Sequence, residues 1–120
     1  MRNYRELEIW KSGIIIVEKI YEISAKLPID ERFGLRSQIT RASISIPSNI
    51  AEGCSRNSEI EFKRFLEIAM GSLFEVETQL TICERLDFLN ESDLKDIMLL
   101  LNKEVKMINS LISKIRTNNN

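Results

Sequence analysis

The sequence predicts an all-α protein, an antiparallel four-helix bundle running up-down-up-down. Three observations carry that expectation. Apolar residues recur with helical spacing along nearly all of the 120 residues, and almost no window alternates with a period of two. Only two prolines and four glycines interrupt the chain. The connections between periodic stretches are short, which makes consecutive helices antiparallel neighbours. A single domain over residues 1–120 is expected, with helices near 5–27, 31–55, 59–88 and 91–116. At this length a full core can be buried without metal or disulfide support.

In the first helix, Leu7, Trp10, Ile14, Val17 and Tyr21 form one apolar stripe. Ile9, Ile16, Ile20, Ile23 and Leu27 form a second beside it, and together they make an arc wider than one packing seam needs. Pro28 ends the helix, because its ring disfavours helical geometry in the residue before it.

Asp30 is the expected N-cap of the second helix. Leu35, Ile39, Ala42, Ile46, Ile50 and Gly53 share its core face, while Phe33, Ile44 and Ala51 lie nearly opposite. A helix with two apolar faces has two things to pack against, the bundle core and a second subunit. Between those faces runs a polar stripe of Gln38, Arg41, Ser45, Ser48, Glu52 and Arg56. Pro47 removes one backbone donor and should kink the helix near the carbonyl of Ser43, with nearby serines softening the loss.

Ser58, with Glu61 three residues on, reads as a capping box opening the third helix. Its core stripe is Phe62, Phe65, Leu66, Ala69, Leu73, Val76, Leu80 and Cys83. Phe74 and Ile82 sit on the outer face and suggest a contact beyond the monomer. Asn90 caps the fourth helix, whose core face is Leu94, Ile97, Leu101, Val105, Ile108, Ile112 and Ile115. Lys114 and Arg116 place positive charge at its C-terminal end, and the polar tail from Thr117 to Asn120 is expected to fray.

Composition narrows the chemistry. There is no histidine, which removes the commonest general base and metal ligand, and with it the Glu-x-x-His sites of metal-binding bundles. No Gly-rich phosphate loop follows a strand. The pairs Glu59/Glu61 and Glu75/Glu77 are two residues apart and point to different sides of a helix, so solvation explains them. Cys54 and Cys83 lack a partner motif and read as ordinary thiols in a reducing compartment. Cys54 also lies toward a helix C-terminus, whose dipole opposes a thiolate. Neither an enzyme, a cofactor nor a metal is expected. The N-terminus has no signal-peptide pattern and the longest apolar run is Ile14-Ile15-Ile16-Val17, so a cytoplasmic protein without membrane contact is expected.

The basic residues are the better lead. Formal net charge is −1, from 17 basic and 18 acidic residues, so nucleic-acid affinity would depend on the arrangement of charge. Arg36, Arg41, Arg56, Lys63 and Arg64 spread over the second helix, its turn and the start of the third. They are candidates for phosphate contacts, whose counterion release accumulates over several groups. The same residues, interleaved with Glu52, Glu59, Glu61 and Glu67, also fit a solvated charged face or inter-subunit ion pairs. The candidate oligomer contacts are Phe33, Ile44, Ala51, Phe74 and Ile82.

The segments GLRSQITRASISIPSNIAEG (34–53) and EFKRFLEIAMGSLFEVETQL (61–80), with LEIWKSG near the start, resemble the bacterial four-helix bundle proteins. That family is also labelled 23S rRNA intervening-sequence proteins or S23 ribosomal proteins. The resemblance implies an antiparallel bundle assembled into a ring, typically a homopentamer. It also implies similarity to the accessory variability determinant of diversity-generating retroelements, which binds nucleic acid and a reverse transcriptase through a positive surface. The pI of about 5.6 departs from a strongly basic accessory protein. The partners it suggests are further copies of the chain, rRNA or another nucleic acid, and a reverse transcriptase.

Overall fold

A computed structural model of the chain describes residues 2–118. Among them the order is a 3₁₀ turn at Tyr4–Glu6, α1 (Glu8–Ser24), a second 3₁₀ turn at Ile29–Glu31, then α2 (Leu35–Cys54), α3 (Glu59–Arg85) and α4 (Glu91–Asn118). α1 packs against α2 and α4, and α3 packs against the same two helices. Three contacts set the directions. Arg2, ahead of α1, donates its backbone N–H to the Cys54 carbonyl at the end of α2, 3.1 Å away. Gly13 of α1 lies against Pro47 of α2. Lys26, beyond the end of α1, reaches Asp93 in the first turn of α4 at 2.7 Å. The helices therefore alternate up and down around one core, in a body of 48 × 22 × 20 Å.

Local chemistry explains the ends. α1 starts later than its apolar pattern, because Asn3 accepts from the Arg5 N–H and closes a separate turn in front of it. Asp30 does not cap α2: it falls inside the turn after Pro28. Glu31 takes that role, its carboxylate accepting from the Leu35 N–H at 3.2 Å. Phe33 consequently lies outside the helix. Ser58 caps α3 by accepting from the Glu61 N–H at 3.1 Å. Asn90 and Asp93 cap α4 reciprocally, each side chain accepting the other's backbone N–H, at 2.9 and 3.0 Å. α3 ends in a left-handed residue, Asp87 with φ 61°, which lets the Phe88 N–H reach back to the Cys83 carbonyl. α4 runs on through Asn118; the expectations for residues 119–120 and for the Arg116 side chain lie outside the described residues.

The core is built from the expected stripes. Ile16, Ile20, Ile39, Ile46, Ile50, Phe62, Leu66, Leu73, Leu80, Ile97, Leu101 and Ile108 are all fully enclosed. α2 continues as helix through the buried Pro47. The serines around it are occupied: Ser43 donates to the Thr40 carbonyl, and Ser45 shares a 2.8 Å hydrogen bond with Ser72 of α3. α2 and α3 approach closely at Gly53, where a Cβ would stand 2.8 Å from Cβ of Phe65. One core expectation shifts by a residue: Val105 is half-buried, and Glu104 turns inward in its place.

Candidate nucleic-acid interface

α2 carries its arginines to different places. Its 20 residues rise about 30 Å, so Arg36 in the first turn and Arg56 just past the end stand at opposite ends of the bundle. Arg36 and Arg41 also point about 140° apart around the helix axis. Arg41 is exposed and, among the described residues, makes no ion pair. Arg56 is committed locally, 3.3 Å from the Glu52 carboxylate and stacked 4.9 Å over the Phe65 ring. Lys63 is half-buried and Arg64 exposed, both within about two helical turns of the α2–α3 connection. Arg56, Lys63 and Arg64 thus share one end of the molecule; Arg36 does not belong with them.

The fold adds a cation there that sequence spacing could not place. Arg2 pairs with both oxygens of Glu59, at 2.6 and 2.7 Å, and lies 4.0 Å over the Phe62 ring. The hydrogen bond from Arg2 holds the Glu59 carboxyl below its usual range, and the same bond pushes the Arg2 guanidinium up. Cys54 lies beneath this contact, buried, and burial raises its thiol pKa against the weaker pull of Arg2. That is the state of an inert core thiol.

The apolar candidates fall into three regions. Ile44 and Ala51 line a 310 Å³ groove between α1 and α2, facing Tyr4, Trp10, Ile14 and Val17. The first stripe of α1 and the second face of α2 therefore form one surface. Phe74, 52% exposed, borders a shallow depression with Glu77, Thr78 and Thr81, and Ile82 follows two turns on along the same helix. Phe33, 85% exposed, stands alone before α2 with the Arg32 guanidinium over its ring.

Glu104 is the residue that the periodicity reading missed. It is fully buried, and that burial pushes its carboxyl up to about 8. The available signal was the 3-4-3-4 spacing of Leu94, Ile97, Leu101, Glu104 and Ile108, which is a stricter heptad than the one routed through Val105.

No described helix is long and apolar enough to cross a membrane. Among curated proteins, none matches the chain. A crystal structure of a protein of unknown function from the S23 ribosomal protein family of Bacteroides thetaiotaomicron has the same fold. Its TM-score is 0.79 at 24% identity, over 87% of this chain and 97% of that one. Residues 5–110 match the family described as 23S rRNA-intervening sequence protein, a span that takes in all of α1, α2 and α3 and most of α4. The chain belongs to that family.

Proposed function

We propose that this chain is a non-enzymatic, homo-oligomeric bundle that binds nucleic acid, in an rRNA-associated or retroelement-accessory role. The observation that carries the reading is the basic end of the bundle. Lys63 and Arg64 stand beside the α2–α3 turn without ion pairs among the described residues, next to Arg56. The family's name, with its reference to 23S rRNA, gives the direction. One such patch is modest on a chain of net charge −1. Repeated around a ring such as a homopentamer, it would present several phosphate-binding groups on one surface.

The groove that joins Ile44 and Ala51 to the α1 stripe supports the oligomeric part, because a second subunit would cover it. A reverse transcriptase as protein partner belongs to the retroelement form of the same reading. Gel shifts with structured rRNA fragments over a salt series test it. Binding that weakens as salt rises is the expected result; no binding at low salt, or binding without a salt slope, rules it out.

A second reading, an oligomeric protein-interaction scaffold without nucleic-acid binding, is favoured by Arg56, whose charge is already spent on Glu52 and Phe65. Arg41→Glu separates the two. Loss of RNA binding with the oligomer intact supports the first, and loss of the oligomer itself supports the second.

A further inference from the structure

α1 and α4 meet along a seam with a groove toward each end. One groove of about 440 Å³ includes Lys19, Ile23, Ile97 and Lys103 in its lining, and a second of about 390 Å³ includes Leu7, Ile9, Lys106 and Met107. Glu104 lies between Lys103 of the first groove and Lys106 of the second, turned inward and with no surface in contact with solvent. Neither carboxyl oxygen has a hydrogen-bond partner among the described residues, and the neighbouring Ser12 Oγ is buried and unpartnered as well. Ser12 lies against the carboxyl and favours its ionised form, a smaller effect than burial, without meeting hydrogen-bond geometry.

Gly13 lies beside the carboxyl. A Cβ at that position would sit 3.5 Å from Oε2 of Glu104, an ordinary contact, and 3.3 Å from Cβ of Pro47, a tighter one. The carboxyl therefore lies directly against α1, and the missing side chain of residue 13 serves the approach of α1 to Pro47.

No cation faces it. α1 presents Ser12 and Gly13, while its Lys11 turns outward to Glu8 at 3.5 Å. α2 presents Pro47. The buried polar and titratable groups of α3 are Ser72, Gln79 and Cys83, all neutral, and Lys103 and Lys106 on α4 itself are exposed. An ionised carboxylate held there would leave its desolvation uncompensated.

We propose that Glu104 is a proton-operated latch on the α1–α4 seam. With the carboxyl neutral, α4 closes on Ser12 and Gly13; when it ionises, the seam loosens and water enters from the flanking grooves. The direction of the pH dependence follows from burial. The unfolded carboxyl ionises near its ordinary 4.5 and the folded one near about 8, so the folded state binds one more proton between those values. Stability from this residue is complete below the unfolded value and is lost as pH rises toward the folded one. The folding constant should fall by up to about tenfold per pH unit in that window, then level off.

The test compares urea unfolding of the wild type and Glu104→Gln from about pH 5 to about pH 9. It adds hydrogen-exchange protection of the α1 and α4 amides at both ends, corrected for intrinsic exchange. The wild type should lose at least about tenfold in folding constant relative to the variant, with protection falling in α1 and α4 before α2 and α3. Parallel stability curves, or α1 and α4 protection unchanged across the range, overturn the latch. If Glu104→Gln does not fold, the ¹³C carboxyl resonance of Glu104 in the wild type decides. A midpoint above about pH 7 supports the proposal, and one near the ordinary glutamate value overturns it.

Discussion

Arg2 and Glu59, 57 residues apart in the chain, form a two-point ion pair that ties the N-terminus to the start of α3. The pair lies on the Phe62 ring, so the guanidinium combines charge pairing with a cation–π contact. Arg2→Met should cost about 1 kcal/mol at neutral pH, the sum of a partly exposed bidentate pair and the ring contact. Because Arg2 holds the Glu59 carboxyl below its ordinary 4.5, the pair's contribution is present above that value. It is lost as pH falls through the lower, folded value. Chemical unfolding of wild type and variant over an acid series should show the gap narrowing toward low pH.

Two glycines, one at the end of α2 and one in α3, should respond to alanine with opposite signs. At Gly53 the new Cβ would meet the Phe65 Cβ at 2.8 Å and Cδ1 of Phe62 at 3.1 Å, so α2 and α3 must separate. Gly53→Ala should destabilise by about 2 kcal/mol, the scale of an overpacked helix contact. Gly71, mid-helix in α3, has nothing within 4 Å of that position. Gly71→Ala should stabilise by up to about 1 kcal/mol, through helix propensity and a less free unfolded chain. Urea midpoints of the two variants read both effects.

Asp87 closes α3 in the left-handed region, at φ 61°. Asp87→Val should cost about 1–2 kcal/mol, because a β-branched side chain is strained there, whereas Asp87→Asn should be close to neutral. Thermal denaturation of the two variants checks the contrast.

If the basic end binds phosphates, Lys63→Ala with Arg64→Ala should flatten the dependence of log affinity on log salt by about 1–2 units, on the order of one for each phosphate left without its cation. Arg36→Ala, at the other end of α2, should leave the slope unchanged. Equal slopes for all three proteins would remove Lys63 and Arg64 from the interface.

Periodicity was enough for the four helices and for most of their inward residues. In α3 every member of the expected stripe is buried except Phe65, which is half-buried, because one helix with one clear apolar face has a single way to turn toward a core. The second stripe of α1 was legible for the same reason, whereas of the expected second face of α2 Ile44 and Ala51 lie on the helix and Phe33 does not. Where the spacing allowed two rotations, it failed: Val105 is the better hydrophobe, yet the heptad through Leu101 and Ile108 turns Glu104 inward. The strict 3-4 spacing is the local signal of that choice, but that a carboxyl is enclosed there depends on how Ser12 and Gly13 of another helix pack against it.

Sequence alone therefore determined the class, the helix count and the faces, which are properties of hydrophobic spacing along one helix at a time. Tertiary structure decided which of those faces meet. It brought Ile44 and Ala51 beside the α1 stripe, set Arg36 and Arg56 at opposite ends, joined Arg2 to Glu59 and enclosed Glu104 against Gly13. Each of these depends on the packing of distant segments. The spacing of residues along a single helix carries no record of that packing.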